Sequence, residues 1–205
     1  MNTDPTSVTE IPPGPTPTPD APGPRRSGRA LVLPAIAGGA VALSIGVYGR
    51  VHEATFDPIF DLGFPSLPAM KSWLATVAVA FAVFQVVSAL GMWGRLPFWR
   101  PAPRWLPWAH RWSGTCAFLV SLPVAYHCLW ALGFQSDAGL RPLVHSLLGC
   151  AFYGAFSTKL LALRNDRLPS WGIPVVGATL VVLLTGVWLT SALWFFTTVS
   201  FPALP

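Results

Sequence analysis

Five long apolar runs, separated by short polar and proline-containing segments, dominate the pattern of this chain. They lie at approximately 30–49, 71–93, 112–133, 143–163 and 173–197. A helix of roughly 20 residues crosses the ~30 Å hydrocarbon core of a bilayer. The pattern therefore predicts an all-α protein, a polytopic bundle of five transmembrane helices within residues 30–205, with the lipid bilayer as its surroundings.

The residues before the first run differ in composition from the rest. Eight prolines lie within the first 24 residues, and no large apolar residue recurs at a regular spacing. Such a segment buries too little apolar surface to offset the entropy cost of ordering it. Residues 1–29 are therefore predicted to form a disordered cytoplasmic tail. A twin-arginine export signal at Arg25 and Arg26 is the alternative, but the tail contains acidic residues and no convincing small-residue cleavage site follows.

Composition and charge support the membrane interpretation and give its orientation. Charged residues make up 10% of the chain, against about 25% in soluble domains. The basic residues cluster between the apolar runs, a distribution that excludes a nucleic-acid-binding surface. With the N-terminus inside, ten Lys and Arg residues face the cytoplasm and three, Arg50, Lys71 and Arg141, face outward. The positive-inside rule then predicts a multi-pass protein of the cell (plasma) membrane with a cytoplasmic N-terminus and an external C-terminus.

Two histidines within the apolar runs are the strongest candidates for function. His127 lies near the outer end of the third run and His145 near the start of the fourth, so the antiparallel order puts both at similar depth. Ionisable residues at membrane depth mark functional sites, and imidazoles within a helix bundle commonly hold haem iron. Gly149 and Tyr153 follow His145 at intervals of four, so they share its helix face. We expect His127 and His145 to be the metal ligands of one haem, with Gly149 leaving room for the porphyrin and Tyr153 lining it.

The other two histidines fit this site less well. His52 follows the first run near the outer surface, where a solvated interfacial ring is the ordinary interpretation, although it could replace one ligand or accept a proton from a quinol. His110 precedes His127 by 17 residues, a distance of about 25 Å along a helix, so both cannot bind one iron. Each intramembrane histidine also has an ordinary interpretation as a buried, hydrogen-bonded polar residue.

The cysteines and the acidic residues restrict the chemistry further. No C-x-x-C-H motif occurs, so any haem would be of the non-covalent b type. A site for copper or zinc without haem is disfavoured, because Cys150 lies about 140° around the helix from His145. Nothing in the sequence supports hydrolytic chemistry.

The stretch from His110 through Arg164 contains HRWSG, LPVAYHCLWALGFQ and VHSLLGCAFYGAFSTK. It resembles the haem-bearing helices of membrane b-type cytochromes, of the ferric-reductase and ascorbate-reducible kinds. The region from YGRVHEA to SALWFFTTVSFP also resembles an uncharacterised family of small bacterial membrane proteins. The cytochrome resemblance implies an electron-transfer subunit that exchanges electrons with an extracytoplasmic redox protein or a quinol. Those cytochromes have histidine pairs at both membrane faces, whereas the cytoplasmic pair is incomplete here. The alternative is a non-catalytic membrane subunit or anchor whose histidines are structural.

Overall fold

Five long helices form the structure, a computed structural model that describes residues 27–57, 60–134 and 137–198. They are α1 (Val32–Val51), α2 (Leu67–Met92), α3 (Leu106–His127), α4 (Leu140–Ala162) and α5 (Gly172–Trp188). A short helix, α6 (Trp194–Thr198), follows α5, and 3-10 turns at Gly28–Leu31 and Pro97–Trp99 precede α1 and α3. No strand occurs within the described ranges, so the all-α prediction is confirmed.

Each of the five predicted runs coincides with one long helix. Four helical stretches, Gly28–Val51, Leu67–Met92, Leu106–Leu132 and Gly172–Thr198, are long and apolar enough to cross a membrane. The fourth run forms α4, which contains Arg141, His145 and Lys159 and is not among those four stretches. Because α4 packs against both α1 and α5, its polar side chains are part of the same bundle as the four apolar helices.

Two helices, α2 and α3, begin earlier than the apolar runs indicate, because residues typical of a helix start precede each run. The Ser66 hydroxyl accepts a hydrogen bond from the Ala69 N–H, and Pro68 follows in the first turn of α2. Both features are typical of a helix N-terminus. In the same way α3 begins at Leu106, with Pro107 in its first turn. His110 therefore lies about one turn inside this helix.

The last residues of the predicted tail, from Ser27, contact the helix bundle. Ser27 lies within the described residues: its hydroxyl caps the first turn, and its N–H donates to the Arg167 carbonyl at 3.0 Å. The Asn165 amide also donates to the Ala30 carbonyl at 3.1 Å. The chain from Ser27 to Ala30 is therefore held against the α4–α5 connection. Residues 1–26 lie outside the described residues.

Glycine allows α1 and α4 to approach closely. The α hydrogens of Gly38 face the Gly154 carbonyl and the Thr158 hydroxyl, so a β carbon at Gly38 would overlap both. A β carbon at Gly154 would lie 2.6 Å from the Gly38 carbonyl oxygen and 2.8 Å from Cβ of Ala42. Small residues allow this kind of backbone contact between membrane helices. Gly38, Ala42 and Gly46, which recur every fourth residue, thus lie in the α1–α4 interface.

Wide π turns follow two of the helices at the same end of the bundle. Residues Cys128–Leu132 continue α3, and residues Leu189–Leu193 continue α5, each as a five-residue π-helix. This end, where α1, α3 and α5 finish and α2 and α4 begin, is called the histidine end below. A π turn rotates the residues that follow it and changes the pairing of nearby carbonyls, and such turns are frequent at functional sites.

Replacing Gly38 by leucine should destabilise the bundle, because the new side chain meets the α4 backbone rather than a flexible side chain. Overpacking of this kind costs about 1–3 kcal/mol or more. Gly39→Leu is the matched control, since a β carbon at Gly39 meets no atom within 4 Å. Thermal unfolding in detergent should show a clearly lower Tm for Gly38→Leu alone; equal Tm values for the two variants would contradict this packing.

Candidate functional site

A largely apolar cavity lies inside the bundle, with most of its lining supplied by α3 and α4. Its empty volume is about 740 Å³, including the part that is open to the surroundings. The enclosed part measures about 90 Å³, which is smaller than the 300–1,000 Å³ of typical pockets for small ligands and cofactors. All five long helices contribute apolar side chains to the lining, among them Ile45, Ala75, Ala78, Val124, Ala125, Leu129, Leu184 and Val187. The chemistry of this lining suits an apolar ligand.

Three of the five predicted site residues line this cavity together. They are His145, Gly149 and Tyr153, which recur every fourth residue along α4 and therefore share one face. A β carbon at Gly149 would meet no atom within 4 Å, so the wall beside His145 is open, as the sequence predicted. The structure thus places the His145 imidazole, the open space beside Gly149 and the Tyr153 side chain at one cavity.

Contacts from α3 and α5 hold the His145 ring. Its Nδ1 lies 3.1 Å from the Thr190 hydroxyl, in the π turn after α5. The Cys128 thiol, in the π turn after α3, lies near the His145 ring and the Lys71 side chain. Cys128 also lines the cavity. The two π turns therefore supply the polar neighbours of this ring.

Tyr153 connects α4 to α3 across the cavity. Its hydroxyl contacts both the carbonyl and the hydroxyl oxygen of Ser121, at 3.0 Å and 2.9 Å. About one turn further along, the rings of Phe118 and Phe156 stack with centroids 4.0 Å apart. These contacts join α3 and α4 beyond the cavity, whereas Gly149 leaves the space beside His145 open.

His127 is buried outside the cavity lining. It is 1% exposed, its Nδ1 lies 2.9 Å from the Pro123 carbonyl, and the edge of the Phe60 ring contacts it at a centroid distance of 4.5 Å. On α3 the side chains of Val124, Ala125 and Cys128 face the cavity, and His127 is rotated by about 100° from Cys128. The structure therefore does not bring His127 and His145 to one cavity. Nε2 of His127 is buried and has no hydrogen-bond partner among the described residues.

The remaining two histidines also lie outside the cavity lining. His52 follows α1, where its ring contacts those of Tyr48 and Trp130 at centroid distances of 5.2 Å and 4.6 Å. His110 lies toward the opposite end of α3, with Nδ1 2.7 Å from the Ser88 hydroxyl. His52 is packed between aromatic rings rather than fully solvated, and His110 joins a polar contact between α2 and α3.

Comparison with known proteins gives a family but no activity. Residues 31–203 match the model of a family described as a family of unknown function (DUF6529). The chain belongs to the DUF6529 family. Neither a curated protein nor a solved structure matches it. The matched region of this DUF6529 chain includes all five long helices and the cavity.

Sequence reasoning missed two residues of the site in this DUF6529 chain, Cys128 and Thr190. The sequence contains a partial signal for the second, since Thr190 and Ser191 are adjacent hydroxyl residues late in an apolar run. Cys128 was assigned to the membrane interior, but its contact with His145 depends on the π turn that begins there. Neither π turn has a periodicity that can be recognised in the sequence.

Tyr153→Phe should lower stability, because it removes the only hydroxyl that links α4 to Ser121 in the contacts described above. Loss of such a hydrogen bond costs about 1 kcal/mol, which lowers the Tm of a chain of this length by about 2–4 °C. Tyr126→Phe is the control, because that ring is 37% exposed and stacks on Trp130. Differential scanning fluorimetry in detergent compares the two; an equal shift in both would refute the Tyr153–Ser121 link.

Proposed function

We propose that this chain is a membrane electron-transfer protein that binds one haem b in the central cavity, where His145 would hold the iron. The observation that carries the proposal is that His145, alone among the four histidines, lines the apolar cavity, beside the open wall at Gly149. When bound, the haem would supply one-electron chemistry. The chain's own contribution is to hold, orient and shield it.

The residues around the cavity fit a haem on three counts. The aliphatic lining suits the apolar macrocycle, and the gap at Gly149 provides space next to the ligand. An Nδ1 contact to Thr190 leaves Nε2 of His145 to coordinate. Lys71, which contacts Cys128 at the cavity wall, is the cation suited to pair with a propionate.

His145 is the only histidine that the cavity offers as a protein ligand, which revises the pair expected from the sequence. The described lining contains no second imidazole. The proposal therefore expects one protein nitrogen on the iron and a high-spin spectrum. A bis-histidine site would also require His127, whose Nε2 is buried and has no hydrogen-bond partner among the described residues. Substitution of His127 therefore distinguishes a site with one histidine ligand from a site with two.

We also propose that all five long helices cross the cell membrane, with the N-terminus cytoplasmic and the C-terminus outside. This orientation puts ten Lys and Arg residues on the cytoplasmic side and three on the outer side, as the positive-inside rule expects. It places the histidine end at the outer face, where Glu53, Asp57 and Asp61 provide negative charge. An extracytoplasmic redox protein with a basic surface would be attracted there, and a quinol could approach from the outer leaflet.

The topology predicts opposite accessibility for the two chain ends. Single cysteines introduced at Pro19 and Ala203, in a background without native cysteines, should react differently with a membrane-impermeant maleimide on intact cells. We expect labelling at Ala203 and none at Pro19 until the cells are lysed. Labelling of the Pro19 site from outside would overturn the orientation.

Haem binding should depend on His145 and not on His110. The purified protein should show a Soret band and a reducible α band, both lost in His145→Ala at unchanged protein yield and both retained in His110→Ala. His127→Ala should retain the haem if His145 is the only protein ligand. Loss of the haem in both His127→Ala and His145→Ala would instead support a bis-histidine site. Retention of the haem in His145→Ala would refute the assignment.

A second test blocks the cavity without changing any ligand. Gly149→Leu should place a side chain in the space beside His145 and reduce haem content, while the protein stays folded. Gly177→Leu is the matched control, because a β carbon at Gly177 also meets no atom within 4 Å, yet Gly177 does not line the cavity. Equal haem content in both variants would contradict this location.

Absence of haem from the purified wild-type protein would favour the alternative function, a membrane subunit or anchor whose histidines are structural.

A further inference from the structure

We infer that Thr190 is the positioning residue of the cavity: it holds the proton of His145 on Nδ1 and thereby presents Nε2 as an unprotonated ligand atom. The part of this inference that concerns haem rests on the proposed function. The part that concerns the proton does not, because it follows from hydrogen bonds within the protein.

The hydroxyl of Thr190 has one proton, and two backbone carbonyls compete for it. The hydroxyl oxygen lies 2.8 Å from the Gly186 carbonyl and 3.1 Å from the Val187 carbonyl. Carbonyl oxygens only accept hydrogen bonds, so the hydroxyl donates to the backbone of its own helix. Its lone pairs are then left for His145, whose Nδ1 lies 3.1 Å away. A hydrogen bond between them requires Nδ1–H to donate, and in the neutral ring Nε2 is then the acceptor.

The π turn keeps Thr190 in place for this role. The Trp194 N–H donates to the Ser191 carbonyl, whereas in a regular α-helix it would bond to the carbonyl of residue 190. The Arg141 guanidinium donates to that Thr190 carbonyl at 2.8 Å, and it also lies over the Trp194 ring, 3.9 Å from the centroid. The first turn of α4 is thus attached to the turn of α5 that carries Thr190, and His145 lies one turn further along α4.

The other groups facing His145 agree with this assignment. The Cys128 thiol contacts the ring from α3, and Lys71 contacts the same thiol from α2. No carboxylate lines the cavity, so among the described lining residues nothing anionic favours a doubly protonated imidazolium. A hydroxyl acceptor at Nδ1 resembles the outer partners that orient metal-bound histidines in proteins generally.

The proton assignment is testable in the haem-free protein. Histidine labelled with ¹⁵N distinguishes the two neutral tautomers by NMR in detergent, and the His145 signals are identified by their loss in His145→Gln. We expect the Nδ1–H tautomer in the wild type and in Thr190→Ser, and a shift toward Nε2–H in Thr190→Val. Ser191→Ala is the control, because the Ser191 hydroxyl donates to the Val187 carbonyl in the same π turn and should leave the tautomer unchanged.

Titration of the same proteins with haem gives a second, separate readout. Loss of an orienting partner typically weakens metal binding about 10–100-fold, so Thr190→Val should raise the haem Kd by that factor, whereas Thr190→Ser should stay close to the wild type. If His145 of the wild-type protein is the Nε2–H tautomer, the inference is overturned, whether or not Thr190→Val folds. If His145 is the Nδ1–H tautomer and the wild-type protein binds no haem, the role of Thr190 is upheld and the proposed function is refuted.

Discussion

An unpaired polar atom of an imidazole inside an apolar bundle is costly, and the arrangement around His145 avoids that cost at Nδ1. An unpaired buried polar group costs roughly 1–3 kcal/mol. Here a hydroxyl on α5 satisfies Nδ1, which fixes the rotation of α4 relative to α5 at the histidine end. Once the ring is held in this way, the next residues on the same face, Gly149 and Tyr153, are directed into the space between α3 and α4.

The cavity results from an uneven distribution of close packing. Gly38 and Gly154 bring the backbones of α1 and α4 into direct contact, whereas α3 and α4 are joined by side chains, through Tyr153 and Ser121 and the stacked rings of Phe118 and Phe156. Large side chains on facing helices keep the backbones apart. At the level of Gly149 no large side chain fills the separation, and a space remains that opens beside His145.

The sequence predicted the helices well and their rotations poorly. Length and hydropathy located all five helices, and the spacing of small residues predicted the close approach of α1. The α4 residues of the site were found because they lie at intervals of four within one regular helix. His127 was judged by depth alone, and depth does not determine which way a side chain faces. A single residue of helical rotation, about 100°, separates His127 from Cys128, and only Cys128 faces the cavity. Thr190 was missed because its role depends on a π turn and on a partner 45 residues away in sequence.

The most direct test of the central claim is a cryo-electron microscopy map of the full chain purified from cells supplied with haem. We predict planar density in the cavity beside Gly149, with a metal within coordination distance of Nε2 of His145 and with His127 still packed against Phe60. A cavity occupied by lipid or by protein side chains, with no planar density next to His145, would contradict the account.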